Sequence, residues 1–299
     1  MSPSVIAAAR ARLHHRMLAE RVLALRPQRS GGARVVNVAD TDNAGSRRVA
    51  ALLAERIRRQ TELPSLLEEI PGERQGASFE HLISDFLKDC LGHMPPSSGS
   101  WEVLPGPALD SFAQYRHLRE LKRLSDEHEE LRLYLGSAYV IRPDIVVARH
   151  PMEDEELGVD LIGRGDDLAR ATFLRKSNAA AHLALPVLHA SVSCKWTLRS
   201  DRAQNARTEA LNLIRDRKGR VPAITVVTAE PMPSRLASLA DGTGDIDRVY
   251  HVALYELQGA VQDFVTEDPT KGYWEEDLAR MARGLRLADI SDLPFDLVS

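Results

Sequence analysis

From Leu185 onward the chain alternates in a strict two-residue rhythm. Leu188, Ala190, Val192 and Cys194 share one face, and His189, Ser191, Ser193 and Lys195 share the other. That period predicts a strand that ends with Lys195 on its polar face, while Cys194 points into the core. The rhythm then changes to a helical one. Ser200 is placed to cap a helix running to about Lys218 and closed by Gly219. Ala206, Ala210, Leu213 and Ile214 form its inward stripe, with Glu209 beside them. Earlier, Phe79, Leu82, Ile83 and Phe86 predict an amphipathic helix capped by Ser78, with Glu80 near its start. Ser4 to Leu25, rich in Arg and nearly free of acid, reads as an amphipathic helix; it lacks the serine enrichment of an organelle transit peptide. His14 and His15 lie on it at different azimuths and read as surface histidines.

Between these landmarks the breakers set the organisation. Arg29-Ser30-Gly31-Gly32 hands over to a strand at Val35 to Val38, and a helix follows from about Ser46. Ile70-Pro71-Gly72 predicts a turn. His93 to Pro107 predicts a long loop interrupted by an extended Trp101 to Leu104, and a charged helix runs from about Ala108 to Leu135. Tyr139 to Ala148 is rich in β-branched residues and predicts a strand containing Pro143-Asp144, where the proline argues for an edge, a bulge or a kink. The acidic run Glu153 to Asp160 reads as a solvated loop that leads through Gly163 and Gly165 into a helical region. Ala223 to Thr228, a turn at Pro231 to Pro233 and a strand at Val249 to Tyr255 complete an α/β alternation. The fold class is therefore α/β, a central mixed β-sheet flanked by helices.

Composition narrows the function. The 299 residues carry 39 Lys plus Arg against 43 Asp plus Glu, a net charge of −4, which excludes a uniformly basic nucleic-acid coat. Hydrophobic residues at 43% and charged residues at 27% exclude disorder, collagen and fibre. The two cysteines, Cys90 and Cys194, stand apart with no Cys/His cluster, which argues against a disulfide scaffold or a zinc module. No apolar run reaches membrane-spanning length, so the expected location is cytoplasmic. One stretch departs from the acidic average. Lys195 to Arg220 holds eight Lys or Arg and three Asp or Glu, a local charge of +5, where an anionic polymer would dock.

Three residues line up with that basic stretch: Asp144 in a strand, Lys195 at a strand end and Glu209 on the following helix. Cleaving a phosphodiester requires charge stabilisation on the non-bridging oxygens and an oriented water. Two carboxylates holding Mg²⁺ and one ammonium supply these, because Mg²⁺ prefers oxygen ligands and keeps several waters. The same residues also fit a strand-end Asp, a snorkelling Lys and a helical Glu in surface ion pairs. Arg199, Asp201 and Arg202 crowd a helix start. Arg can contact guanine O6 and N7 bidentately, and Asp can accept from cytosine N4, so this set suits G·C pairs. It also fits an ordinary helix N-terminus with a favourable Asp. Three further motifs are set aside. Asp40-Thr41-Asp42-Asn43-Ala44-Gly45 lacks ligands of a calcium loop, Asp241 to Asp245 reads as a turn, and His189 reads as a hydrogen-bonded structural histidine.

The run Ser193-Cys194-Lys195-Trp196-Thr197-Leu198-Arg199-Ser200-Asp201-Arg202-Ala203-Gln204-Asn205-Ala206-Arg207-Thr208-Glu209 resembles the core of the NgoMIV-type restriction endonucleases, which cut sites containing CCGG. The resemblance continues at Thr228-Ala229-Glu230-Pro231, Pro233-Ser234-Arg235, Gly242-Thr243-Gly244 and Asp289-Ile290-Ser291-Asp292-Leu293-Pro294. It is strong over Leu188 to Val298 and traceable from about Asn37. The resemblance implies one restriction-endonuclease-like domain over 1–299, with a helical part at about 1–135 and a catalytic core at about 139–255. It implies a variant signature in which Ser193 stands at the usual acidic position and Glu209 supplies the carboxylate. Asp144 and Glu209 would be the metal ligands for Mg²⁺, Lys195 the activating cation and Glu80 an additional carboxylate. Arg199, Asp201 and Arg202 would read the central CCGG, and Ser46 and Arg235 the outer pair.

The family's glutamine directly after Pro-Gly is displaced in Pro71-Gly72-Glu73-Arg74-Gln75-Gly76, so either Gln75 by a small shift or Glu73 would take its place. The implied activity is a type II restriction endonuclease of double-stranded DNA, cutting GCCGGC before the first C to leave 5′ CCGG overhangs. It would act as a homotetramer in a restriction-modification system, with a host DNA methyltransferase as counterpart. A DNA-binding protein without cleavage and a structure-selective repair nuclease are the alternatives.

Overall fold

The computed structural model describes residues 3–28, 34–61, 63–70, 75–94, 100–130, 133, 142–158, 169, 171–176, 185–242 and 244–298. Ser4 accepts a hydrogen bond from the Ala7 amide and starts helix α1, Val5–Ala19. Strands β1 (Leu25–Pro27) and β2 (Arg34–Val36) pair antiparallel. Asn43 caps α2 (Ala44–Gln60) by accepting from the Ser46 amide, and α3 spans Gln75–Leu91. There follow β3 (Trp101–Pro105), α4 (Arg116–Glu127), β4 (Ile145–Arg149), the one-turn α5 (Asp154–Leu157), β5 (Val187–Lys195) and α6 (Ser200–Asp216). The rest of the chain forms β6 (Ala223–Thr228), α7 (Pro233–Ala240), β7 (Arg248–His251), α8 (Leu254–Glu267), α9 (Gly272–Arg283), β8 (Leu287–Asp289) and α10 (Leu293–Asp296). The strand order β3-β4-β5-β6-β7-β8 makes a mixed six-stranded sheet, antiparallel from β3 to β5 and parallel from β6 to β8. The fold is α/β, as the hydrophobic pattern predicts. No helix among the described residues is long and apolar enough to cross a membrane.

The chain forms two units. One comprises Met1–His93, Ser193–Arg207 and Thr225–Ser299, and the other Met94–Val192 and Thr208–Ile224. In the first, α2 packs on α8 and α1 on α3, burying Leu13, Met17, Leu53, Ile57, Phe79 and Leu82. Gly45 lets α2 approach closely, because a Cβ there would come within 2.9 Å of the Trp274 ring. In the second unit Ile145, Val146, Val147 and Ala148 are all buried, so β4 is a continuous apolar run. Gln114 is fully buried beside β5. Its amide donates to the Leu188 carbonyl at 2.8 Å and accepts from the Leu188 amide at 2.8 Å, acting as a strand partner. The Tyr115 hydroxyl donates to the Leu213 carbonyl at 2.9 Å and fastens the end of α6. Gly219 follows with φ +95, a conformation that glycine adopts without a Cβ clash.

Several boundaries differ from the sequence expectations, each for a local reason. The charged helix expected over Ala108 to Leu135 is two 3₁₀ turns, Leu109–Ser111 and Ala113–Tyr115, followed by α4, because Gln114 and Tyr115 turn inward to make the bonds above. Asp144 and Pro143 precede β4 rather than lying in it, since proline has no N–H for the ladder; 139–141 lie outside the described residues. The strand expected to reach Tyr255 stops at His251. There the His251 ring accepts from the Ala253 amide at 3.1 Å, and Asp289 accepts from the Leu254 amide at 3.0 Å, so α8 begins. Ser78 lies inside α3, which starts three residues earlier at Gln75. His14 is buried, with Nε2 2.8 Å from the Val252 carbonyl oxygen, so the expectation of two surface histidines holds only for His15. The expected turn at Pro71-Gly72, the breaker cluster 29–32 and the region after Gly163 lie outside the described residues.

A buried ionic cluster joins three elements of the first unit. The Arg10 guanidinium donates to Glu256 at 3.0 and 2.6 Å and to Asp289 at 2.8 Å from both Nε and Nη2, and Gln60 donates to Glu256 at 2.9 Å. Burial alone would raise the Glu256 carboxyl, but Arg10, His14 and Gln60 outweigh it and hold the group down to about 2. Its contribution to stability is therefore present above the ordinary carboxylate range and is lost as pH falls toward about 2. Arg10→Ala strands two buried carboxylates and should cost ~3–5 kcal/mol in urea unfolding near neutral pH. A loss below ~1 kcal/mol would show that the cluster is not what joins α1, α8 and β8.

Candidate functional site

The basic stretch begins where β5 ends. Lys195, half-buried, is the last residue of that strand, and Ser193, buried, lies two residues before it on the same face. Trp196 then turns inward, meeting the edge of Phe79 with ring centroids 5.1 Å apart and planes at 63°. Its carbonyl accepts from the Ala229 amide at 3.3 Å. The Leu198 amide donates to a Glu230 carboxylate oxygen at 2.8 Å. Two polar contacts and one ring contact thus hold residues 196–198 before α6 begins. Arg199, Asp201 and Arg202 leave this segment exposed, and Arg202 Nη1 donates to Thr197 Oγ1 at 2.9 Å.

Their surroundings form a polar cleft. A cavity of about 570 Å³ is lined by Arg26, Asp40, Asp42, Arg199, Ser234 and Arg235 among others. An adjoining one of about 220 Å³ is lined by Arg26, Glu69, Gln75, Arg199, Arg202 and Arg235 among others. Arg26, Arg199 and Arg235 border both. Arg26 Nη2 donates to the Ala39 carbonyl at 2.9 Å, Arg235 is ion-paired with Asp40, and Gln75 donates to Glu69 at 3.3 Å. Burial would raise the Asp40 carboxyl, but the Asp42 amide and Arg235 outweigh it, so the group sits below its ordinary range and stays charged. Ser46 is fully buried. Its hydroxyl accepts from the Asp40 amide at 2.9 Å and so shapes the loop that presents Asp40. The structure therefore brings Arg199, Arg202, Arg235 and Gln75 to one cleft; Glu73 lies outside the described residues.

The carboxylates are distributed over both units. Glu80, half-buried on α3, follows Phe79, whose ring contact with Trp196 ties that helix to the segment after Lys195. Asp144, half-buried, precedes Ile145, the partner of Val192 in the antiparallel register, and Lys195 lies three residues beyond Val192. Glu209 is half-buried on α6 between the buried Ala206 and Ala210. Among the described residues no three His, Cys, Asp or Glu side chains form a metal-holding group.

Sequence reasoning missed three residues of this site. Arg26 lies just past the helix expected over Ser4 to Leu25 and carries no role there, Asp40 reads only as a failed calcium loop, and Glu230 only as part of a motif without a role. A charge beside a turn proline was the available signal for Arg26. Nothing in the sequence shows that Glu230 is fully buried, which pushes its carboxyl up to about 7 against the opposing pull of the Leu198 amide and Arg235. The acidic run expected as a solvated loop instead contains the helical turn α5, with Asp154 held by the largely buried Arg175. Cys90 and Cys194 are buried and not joined by a disulfide, and burial pushes Cys90 up to about 11. His189 rests edge-on against Trp101 at 4.4 Å between centroids. Asp241 pairs with Arg280 at 2.8 Å, and the acidic Glu153 and Asp154 pair with Lys176 and Arg175.

The family model for the NgoMIV restriction enzyme matches residues 13–299. The type II restriction enzyme NgoMIV of Neisseria gonorrhoeae is 43% identical over 271 residues, covering 88% of this chain and 90% of that protein. A solved structure, the restriction endonuclease PspGI with substrate DNA, aligns over 98% of this chain and 90% of its own at 14% identity, with a TM-score of 0.36.

Phe79 is fully buried beneath Trp196, so Phe79→Ala should cost ~3–5 kcal/mol in denaturant unfolding. A cost under ~1 kcal/mol would mean that the ring pair does not brace the segment leading to Arg199.

Proposed function

The chain belongs to the NgoMIV restriction enzyme family and is a type II restriction endonuclease, a site-specific deoxyribonuclease acting on DNA, and from that premise we propose its site and mechanism. It hydrolyses both strands at a palindrome centred on CCGG, namely GCCGGC, before the first C to leave 5′ CCGG overhangs. The observation that carries this reading is the cleft in which Arg199, Arg202, Arg235 and Gln75 converge, beginning four residues after Lys195. Arg199 and Arg202 take guanine O6 and N7 of the inner pairs, and Asp201 accepts from cytosine N4. Arg235 and Gln75 meet the outer pair, with Ser46 supporting them through Asp40. Because Arg199, Asp201 and Arg202 follow the lysine on one continuous segment, correct docking on the inner bases also sets the scissile phosphate.

Asp144 and Glu209, together with Lys195, Ser193 and Glu80, form the catalytic set of this proposal. Asp144 and Glu209 are hard oxygen donors on separate elements, a donor set that fits Mg²⁺ with water completing the shell. When bound, that ion supplies charge neutralisation at the non-bridging oxygens. The Lys195 ammonium orients the attacking water in line with the departing sugar oxygen and stabilises negative charge as it develops on the non-bridging phosphoryl oxygens. Glu80 receives a hydrogen bond from that water, and Ser193 leaves room where a carboxylate would otherwise stand. One catalytic domain over 1–299, a cytoplasmic homotetramer and a host methyltransferase that protects the same palindrome complete the proposal.

Incubating the protein with plasmid and Mg²⁺ and sequencing the ends tests the reading: discrete GCCGGC ends support it. A gel shift without cutting would replace it by a DNA-binding protein, and ends at flaps or junctions by a repair nuclease. Lys195→Ala should abolish cutting while specific binding persists, and retained cleavage would remove Lys195 from its role. Arg202→Ala should cost ~1–3 kcal/mol of discrimination at one G·C position in competition binding.

A further inference from the structure

Glu230 lies between the two groups of base-reading residues and belongs to neither. It is fully buried and sits after β6, in the turn that leads to α7. One carboxylate oxygen accepts from the Leu198 amide at 2.8 Å, immediately before Arg199. The other accepts from the Met232 amide at 3.1 Å, immediately before the helix that carries Arg235. Arg235 Nη1 stands 3.8 Å from the first of these oxygens and is also paired with Asp40. A buried carboxylate is costly unless hydrogen-bonded, and here the two backbone amides that satisfy it belong to the two segments that must present arginines to one cleft. A neutral side chain of the same size would leave at least one of those amides facing a donor or nothing.

We propose that Glu230 is a positioning residue for sequence discrimination: by clasping the Leu198 and Met232 amides it fixes the Arg199–Arg202 segment and the Arg235 helix in one register, so that inner and outer base pairs are read together. The proposal rests on the assignment of those arginines to base reading. Arg235 on α7 and Asp40 before α2 act on the Glu230 carboxylate, and the His251 ring on β7 meets the Glu230 backbone. Burial holds His251 down to about 4, and Asp40 sits below its ordinary range, so both keep their charge state between pH 6 and 8. Glu230, pushed up to about 7 by burial, changes its charge in that window. Below it a protonated oxygen becomes a donor, and one amide loses its acceptor. Discrimination therefore falls with pH in the native protein.

The test uses the full chain and the palindrome returned by end sequencing, with every single-pair substitution of it. The readout is the ratio of cleavage rates, cognate over substituted, from pH 6 to 8. Glu230→Gln, with folding checked by circular dichroism, should lower the ratio at least tenfold at both inner and outer positions and flatten its pH dependence. Arg235→Ala should lower it at the outer position alone. A general loss of activity with an unchanged ratio would overturn the proposal. If Glu230→Gln does not fold, the native protein decides: a ratio that falls from pH 8 to 6 supports the clasp, and a flat one overturns it. If Arg202→Ala and Arg235→Ala also leave the site preference intact, the assignment of the readers fails; if they relax it while Glu230→Gln does not, only the clasp fails.

Discussion

Guanidinium groups gathered in one cleft repel each other, and each also loses side-chain freedom when fixed there. This protein meets that constraint by anchoring them separately, Arg26 on the Ala39 carbonyl, Arg202 on Thr197 and Arg235 on Asp40. Each anchor uses part of a guanidinium and leaves the remaining N–H groups directed by its planar fork. Asp40 is the one carboxylate among these anchors. It is held ionised, so it offsets part of the positive charge without closing the cleft. A polyanion completes the balance, which ties the stability of this arrangement to the substrate class of the family.

The apolar packing beneath the cleft is what makes such anchoring possible. Phe79 and Trp196 brace the segment after β5, and the close approach of α2 to the Trp274 and Phe264 rings at Gly45 steadies the loop that bears Asp40. Farther away, the Arg10 cluster replaces apolar packing by charge-assisted hydrogen bonds among α1, α8 and β8. Both solutions keep backbone segments stationary. A side chain as long as that of arginine discriminates between bases only if its Cα does not drift.

Short-range patterns carried most of the element assignments. The alternation from Leu188 to Lys195 and the buried run Ala223–Thr228 appear as strands with the expected faces, because a period of two depends on residues close in sequence. Glu209 stands beside the inward stripe of α6 for the same reason at a period of 3.6. The misjudged places are those where a distant partner supplied the missing bond. Gln114 turned a helix into 3₁₀ turns by bonding Leu188, and Asp289 ended a strand by accepting the Leu254 amide. His14 left the surface for the Val252 carbonyl.

The amino-acid sequence alone therefore determined the α/β class, the Ser-x-Lys strand, the basic segment after it and, through a long motif, the family. Local periodicity and contiguous identity suffice for these. Tertiary structure alone decided that Arg26, Asp40, Gln75 and Arg235 border the cleft of Arg199, and that Glu230 is buried against two amides of separate segments. Residues separated by tens to more than two hundred positions carry no mutual signal along the chain. Their convergence follows from burial, which is a property of the folded whole.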